Sequence, residues 1–311
     1  MNELDALVTG GAGFIGSHLV DALIKENHDV TVIDKIEDDI TYENPSAKYI
    51  VADLRDSNAA VKHVKDFDIV FHLASDYSVV RSTEDPKLDF ENNLLLTFNV
   101  LNAMRKNNVR KIVFTSTSAV YGVQKKFPII EDVPSTFALP ISNYAASKLA
   151  SEIYIHSFSN LYGIEGLVVR MANVVGPRSN HGIVPDLVRK IKNNPKKLEV
   201  FGDGNQKKSY LHISDCVNAI LFASKKFRKF DIFNIGYDEW IPVSDIVSLV
   251  CKEMNVKPEI VYSGGKGGWP GDVPEFLLDA SKIRSLGWKP AMTTDEAIID
   301  AVKWAKNEKN L

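Results

Sequence analysis

The sequence predicts an α/β protein built on a doubly wound parallel sheet, followed by a smaller mixed α/β lobe. Three observations carry this expectation. The first half alternates short, β-branched apolar runs with stretches of helical spacing, the pattern of a parallel sheet covered by helices on both faces. A glycine-rich turn joins the first apolar run to the first helical stretch. After Arg170 the regular alternation gives way to Gly/Pro-marked loops at Gly176-Pro177, Gly202-Asp203-Gly204, Gly264-Gly265, Gly267-Gly268 and Pro270-Gly271.

Taken in order, Leu4 to Val8 reads as a short buried strand and Phe14 to Glu26 as a helix. Val30 to Asp34, Tyr49 to Ala52, Ile69 to Leu73 and Lys111 to Thr115 repeat the strand pattern. A long helix from about Pro86 to Lys106 separates the last two. Right-handed crossovers wind such a sheet in both directions. Residues 1–169 are expected to form the first lobe and 170–311 a loop-rich second one. Within the second, 211–236 is expected to return to the first lobe, because Asp231 to Gly236 has the character of a further strand.

The composition is that of an ordinary globular protein. Of the 311 residues, 45% are hydrophobic and 25% charged, and 37 Lys and Arg against 40 Asp and Glu leave a net charge of -3. Neither a nucleic-acid partner nor an acidic interaction tail is suggested by that balance. Cys216 and Cys251 stand far apart without metal-ligand spacing, so a reducing compartment and no metal site are expected. The N-terminal residues lack the charge and apolar core of a signal peptide. No apolar run reaches the roughly 18 residues of a membrane span. A soluble cytoplasmic protein is the expectation.

Thr9-Gly10-Gly11-Ala12-Gly13-Phe14-Ile15-Gly16 lies between the first strand and the first helix. Glycines at 10, 13 and 16 allow a tight turn, close approach of a pyrophosphate and close helix–strand contact. The helix N-terminus adds free N–H groups and a partial positive charge. Strand–turn–helix context makes this a Rossmann-type dinucleotide cradle rather than a plain turn. Asp34 ends the second strand, 24 residues after Gly10. A carboxylate there accepts both ribose hydroxyls of NAD and repels the 2′-phosphate of NADP, although Lys35 follows it. Asp53, after the third strand, is suited to the adenine amine, or equally to a turn.

Tyr144-Ala145-Ala146-Ser147-Lys148 opens a helical stretch, so Tyr144 and Lys148 share one face at i and i+4. Tyrosine near pKa 10 is a poor base at neutral pH. A neighbouring ammonium and a nicotinamide cation would both favour its phenolate. Upstream, the strand ending at Thr115 runs into Ser116-Thr117-Ser118. Hydroxyls at the carboxyl end of a parallel strand face the ligand crevice, and a Ser/Thr turn cluster is the alternative.

These residues resemble the extended short-chain dehydrogenase/reductases, and within them the nucleotide-sugar epimerase/dehydratase group. The resemblance covers nearly the whole chain. Besides the segments above it includes Asp53-Leu54, His72-Leu73-Ala74, Asn93, Ser116 to Gly122, Arg170 to Arg178, Gly202 to Asp215, Pro270-Gly271-Asp272 and Leu286-Gly287-Trp288. It implies that Tyr144 is the acid/base, that Lys148 holds the nicotinamide ribose and tunes Tyr144, and that Thr117 orients the sugar 4-OH. It places NAD on Gly10, Gly13, Phe14, Ile15, Gly16, Asp34, Asp53 and Leu54, with Leu73, Ala74, Asn93 and Ser116 beside it. Asn93 also supports the active-site helix.

For the nucleotide sugar, a UDP-hexose, the resemblance points to Thr117, Ser118, Asn173 and Asp272. It implies a reversible oxidation at C4 through a 4-keto sugar. Two positions that hold phosphate-binding arginines in the larger family are Lys208 and Trp269 here. A lysine acts as a point charge and lacks the guanidinium fork, which brings Arg178 and Lys207 forward as substitutes. Phe276 takes the place of an aromatic that limits room for a 2-acetamido group, or it simply packs in a core. Sugar 4,6-dehydratases carry Asp-Glu after the Thr, where Ser118 and Ala119 stand here, which argues against dehydration. A uronate epimerase, a dehydrogenase and an NAD(H)-binding regulator remain alternatives. The resemblance also suggests a homodimer through helices around 90–106 and 142–162, where Leu94, Leu95, Phe98, Ile153 and Phe158 serve that interface or only the sheet.

Overall fold

The computed structural model describes residues 3–35, 42–76, 83–132, 139–268 and 272–308. The chain divides into two compact units. The first comprises 1–120, 142–170 and 220–233; the second comprises 121–141, 171–219 and 234–311. Segment 121–141 thus interrupts the first unit and belongs to the second.

The first unit is built on a seven-stranded sheet: β1 (Asp5–Thr9), β2 (Asp29–Asp34), β3 (Lys48–Val51), β4 (Ile69–His72), β5 (Lys111–Thr117), β6 (Glu165–Met171) and β11 (Phe230–Ile235). Their order is β11-β6-β5-β4-β1-β2-β3, and β1 pairs in parallel with both β2 and β4. The order in which strands are added therefore reverses between β1 and β4, the switch point at which doubly wound sheets bind ligands. Ala6, Leu7 and Val8 of β1 are fully buried, as a central strand covered on both faces must be. The expected return strand forms, and it lies at the sheet edge beside β6.

Helices α1 (Phe14–Lys25) and α2 (Ser57–His63) follow β1 and β3. The long helix expected before β5 is present but not uniform. A short turn, α3 (Lys87–Asp89), passes through a π-helical segment, Phe90–Leu95, into α4 (Leu96–Asn107). Single π turns inside α-helices often mark functional sites. Here Thr97 Oγ1 donates to the Asn93 carbonyl at 2.6 Å, a back-bond within the helix that competes with the regular ladder. Helix α5 (Asn143–Tyr162) begins at Ser142, whose hydroxyl accepts the Ala145 N–H at 3.2 Å, and ends at Gly163 in the left-handed region.

The second unit is more regular than its glycine and proline content suggests. It contains the parallel pair β7 (Asn173–Val175) and β10 (Tyr210–His212), and the parallel pair β8 (Lys197–Val200) and β13 (Glu259–Tyr262). A three-stranded sheet is ordered β12 (Ile241–Pro242), β9 (Lys207–Lys208), β14 (Glu275–Phe276). Helices α6 (Ile183–Asn193), α8 (Val243–Met254) and α10 (Thr294–Asn307) share one apolar core with β7, β8 and β10. Helix α7 (Ile213–Ser224) starts in this unit and ends in the first, and α9 (Ser281–Ser285) is a short turn. Among the described residues, no helix is long and apolar enough to cross a membrane.

Candidate active site

The glycine turn sits at the switch point. Gly10 follows the end of β1 at φ +72°, and a Cβ there would lie 2.6 Å from the backbone nitrogen of Ala74. A Cβ on Gly16 would meet the Gly10 carbonyl oxygen at 2.1 Å. These two positions admit only glycine, since neither backbone neighbour can give way. Gly11, which the motif reading did not single out, is pressed against Val32, 2.6 Å from an added Cβ. By contrast a Cβ on Gly13 would meet only the Gly10 oxygen, at 3.3 Å. Gly13 is also the N-cap of α1, with no side-chain cap and no acidic residue in the first turn. The N-terminus of α1 therefore turns its backbone dipole, with no carboxylate in its own first turn, toward the glycine turn, and the cradle fits a dinucleotide pyrophosphate. Gly10→Ala is expected to destabilise the fold by at least ~1–2 kcal/mol from the φ alone. It should also abolish NADH binding, read by fluorescence titration; retained binding would place the cofactor elsewhere.

Asp34 ends β2 with its carboxylate oriented by two backbone donors, Ala12 N–H at 3.2 Å and Lys35 N–H at 2.8 Å. Leu73 and Ala74 follow β4, where Leu73 N–H donates to the Thr9 carbonyl at 3.0 Å and Ala74 N–H to Thr9 Oγ1 at 3.3 Å. Asp53 is already engaged. Arg55 Nη2 approaches its Oδ2 at 2.5 Å, and this bond holds the carboxyl below its usual range. Leu54, next to it, is buried.

Below the turn runs a buried polar chain. The Thr97 proton is committed to the Asn93 carbonyl, so Thr97 Oγ1 accepts from His72 Nε2 at 3.0 Å, and His72 Nδ1 accepts from Thr9 Oγ1 at 2.7 Å. Burial pushes the His72 imidazole down to about 3, with the Lys148 charge adding to the effect, so the ring is neutral with its proton on Nε2. The chain ties the end of β1 to the π segment.

Asn93 stands in that π segment with all four bonding positions filled. Its amide donates to Asp89 Oδ1 at 2.9 Å and Ser147 Oγ at 3.0 Å, and its oxygen accepts from Ser75 Oγ at 2.9 Å and Asp76 N–H at 2.8 Å. Ser147 in turn donates to the Tyr144 carbonyl at 2.7 Å. Asn93 therefore holds the first turn of α5.

That turn carries Tyr144, whose hydroxyl is hydrogen-bonded to Thr117 at the end of β5. Burial pushes the phenol up to about 12, and the Asp89 carboxylate works in the same direction. This is opposite to the shift expected from Lys148: desolvation outweighs the lowering effect of the Thr117 hydrogen bond, and Lys148 is not among the groups that act on the phenol. Lys148 is buried with its ammonium 4.2 Å from the centre of the Phe114 ring. Burial pushes it down to about 7, against a raising effect from Glu152. Ser116 and Ser118, flanking Thr117, are buried, and the Ser116 hydroxyl donates to Glu152 Oε1 at 2.5 Å.

In the second unit, Asn173 heads β7 opposite Tyr210 of β10 and bonds to its hydroxyl; burial pushes that phenol up. Arg178 takes φ +68°. Lys208 is not free for an incoming anion: it pairs with Asp272 at 2.5 Å, and Asp272 Oδ2 also accepts the Gly268 N–H at 2.9 Å. Phe276 is buried and registers beside Lys208 across β14 and β9. Lys207 Nζ lies 5.7 Å from the centre of the Trp240 ring. Trp269, Pro270 and Gly271 lie outside the described residues. Among the described residues, no group of three or more His, Cys, Asp or Glu side chains is placed to hold a metal ion.

Asp89, Ser147, Glu152 and Arg170 were not assigned a role from the sequence. Glu152 at i+8 from Tyr144 and Asp89 at i−4 from Asn93 share a helix face with a candidate residue, and that spacing was the available signal.

The model of the NAD dependent epimerase/dehydratase family matches residues 6–236. A solved UDP-galactose 4-epimerase is 38% identical, with TM-score 0.88 over 96% of this chain and 98% of that one. The UDP-glucose 4-epimerase of Thermotoga maritima, solved with UDP-glucose, is 32% identical, with TM-score 0.88 over 96% and 98%. The UDP-N-acetylglucosamine 4-epimerase of Methanobrevibacter ruminantium, solved with UDP-N-acetylmuramic acid, is 30% identical, with TM-score 0.85 over 98% of both chains.

Proposed function

Since the chain belongs to the NAD-dependent epimerase/dehydratase family, we propose that it is a UDP-glucose 4-epimerase, interconverting UDP-galactose and UDP-glucose. The observation that carries this reading is the Thr117–Tyr144–Lys148 arrangement beside the glycine cradle. Its support against dehydration is the pair Ser118-Ala119, which offers no second acid or base after Thr117. Two of the similar structures carry 4-epimerase names with galactose or glucose nucleotides.

In this reading NAD, when bound, supplies a reversible hydride acceptor. Thr117 orients the sugar O4 and Tyr144 removes its proton. Lys148 donates to the nicotinamide ribose and favours the phenolate. The resulting 4-keto sugar turns over and is reduced from the opposite face, and Tyr144 returns the proton to O4. On the nucleotide-sugar side, Asn173 and Arg178 are assigned to the substrate. A diphosphate at Lys208 competes with Asp272 for the ammonium.

The test is incubation of the purified protein with UDP-galactose and a trace of NAD. Formation of UDP-glucose without net NADH is the expected result. Accumulated NADH would make the protein a dehydrogenase. No conversion of UDP-galactose, with turnover of the 2-acetamido or uronic counterpart, would move the substrate but keep the reaction.

We assign the working form as a homodimer. Phe90, Phe98, Ile153, Tyr154 and Leu161 are exposed on the stretch 87–107 and on α5. The Phe98 and Tyr154 rings meet edge to face at 5.7 Å, so this is a joined apolar patch of the kind that marks an interaction surface, not a set of scattered residues. For Phe158 the second of the two readings holds, since it packs in the core of the first unit. A dimeric mass in light scattering, reduced to a monomer by Ile153→Glu with Leu161→Glu, is expected; a monomeric parent protein would end this assignment.

A further inference from the structure

Behind the tyrosine and lysine lies a buried ion pair that the reaction as written does not use. Glu152 is one further helical turn along α5, so Tyr144, Lys148 and Glu152 form an i, i+4, i+8 row on one face. Glu152 is 2% exposed and Arg170, at the end of β6, is 7% exposed. Arg170 Nη2 meets Glu152 Oε2 at 2.6 Å, and its Nε lies 3.2 Å from both carboxylate oxygens. The remaining side of the carboxylate accepts the Ser116 hydroxyl. One side chain thus ties α5 to β5 and β6, immediately behind Thr117.

A buried ion pair is costly to desolvate and is often no better for stability than apolar residues of the same volume. Its position matters more here than its contribution to the fold. The groups acting on the Lys148 ammonium are Glu152 on its own helix, the Phe114 ring on β5 and the neutral His72 on β4. Asp89 acts from α3 on Tyr144. Of these, Glu152 is the carboxylate that offsets the burial of Lys148, and Arg170 limits how strongly it does so.

We infer that Glu152 is a positioning residue that keeps Lys148 charged beside the cofactor ribose and holds Ser116-Thr117 against Tyr144, with Arg170 setting the strength of its field. This rests on the assignment of Tyr144 and Lys148 to the reaction. The test therefore reads cofactor binding, which needs no turnover.

The experiment is NADH affinity of the full chain, by fluorescence titration, from pH 5.5 to 9.5. Parent affinity is expected to fall as Lys148 loses its proton. Glu152→Gln keeps the shape but removes the charge, and should move that midpoint down by roughly one pH unit. Arg170→Gln leaves the Glu152 charge uncompensated, and should move it up. Glu152→Asp should restore the parent midpoint. Opposite shifts are not produced by a merely structural role, which weakens binding equally at every pH. Unmoved midpoints in the variants that fold, or loss of folding in both Gln variants, would overturn the inference. A protein that shows these shifts but does not convert UDP-galactose would keep the inference and lose the UDP-glucose 4-epimerase assignment.

Discussion

Tyr144→Phe is expected to lower the interconversion of UDP-galactose and UDP-glucose by about 10²–10⁴-fold, the usual contribution of a positioned acid/base. The change removes one oxygen and its bond to Thr117. Ring, helix cap and cofactor cradle stay: α5 is capped by Ser142, and its first turn is held by Asn93 through Ser147. NADH affinity should therefore stay close to the parent value. The pH dependence adds a second reading. In the chain by itself burial holds the phenol at about 12, so the reactive phenolate depends on the positive charge brought beside it. Turnover in the parent protein should rise with pH until the phenol's working pKa is passed, and the residual activity of the variant should lack that limb. A variant within tenfold of the parent at every pH would assign the proton transfer to another group.

Much of this site is local in sequence, and that part was legible. A glycine turn between a strand and a helix is specified by neighbours in the chain, because Gly10 and Gly16 each meet a steric need of the same turn. The same is true of Tyr144 and Lys148, set on one face by helical periodicity. The return of β11 to the sheet was readable from the strand character of the run Asp231 to Gly236.

What escaped was long-range. Glu152 pairs with Arg170, 18 residues on, and Ser116, 36 residues back. Nothing in the local pattern at Glu152 says which strand end it will meet. The π segment is a similar case. Its residues have ordinary helical spacing, while the bonds that Asn93 makes there reach Ser75, Asp76 and Ser147 on other elements. Lys208 illustrates the same limit in the second unit. A lone lysine reads as a free charge until the fold sets Asp272 at 2.5 Å from it. The helices around the second core were masked by the Gly/Pro loops between them, since loop composition says little about how much apolar surface the intervening segments bury.

The largest stability effect is expected at Lys148, and its direction is opposite to the effect on activity. Lys148→Met should abolish most turnover, since it removes the cation that favours the phenolate and the donor for the cofactor ribose. It should also stabilise the protein at pH 7 by about 1–3 kcal/mol, as replacing a buried charge by an apolar side chain of similar length often does. The lysine is 3% exposed, and burial pushes its folded value down to about 7 from an unfolded 10.5. Between those two values the unfolded chain binds more protons than the folded one, so stability of the parent protein rises with pH across that window. Below it the full cost of burying the ammonium is present. The Met variant lacks this titration, so its thermal midpoint should lie above the parent's at pH 7, and the difference should shrink toward pH 10. Glu152 does not become an orphan in the variant, because Arg170 and Ser116 still hold it; what is lost is the Phe114 contact and the attraction between Glu152 and the ammonium. Thermal scans of both proteins from pH 6 to 10 decide the matter. If the parent's midpoint falls with pH over this range while the variant's falls in parallel, Lys148 is not the group that titrates. A site that is more stable without its lysine than with it has retained the charge for chemistry rather than for folding.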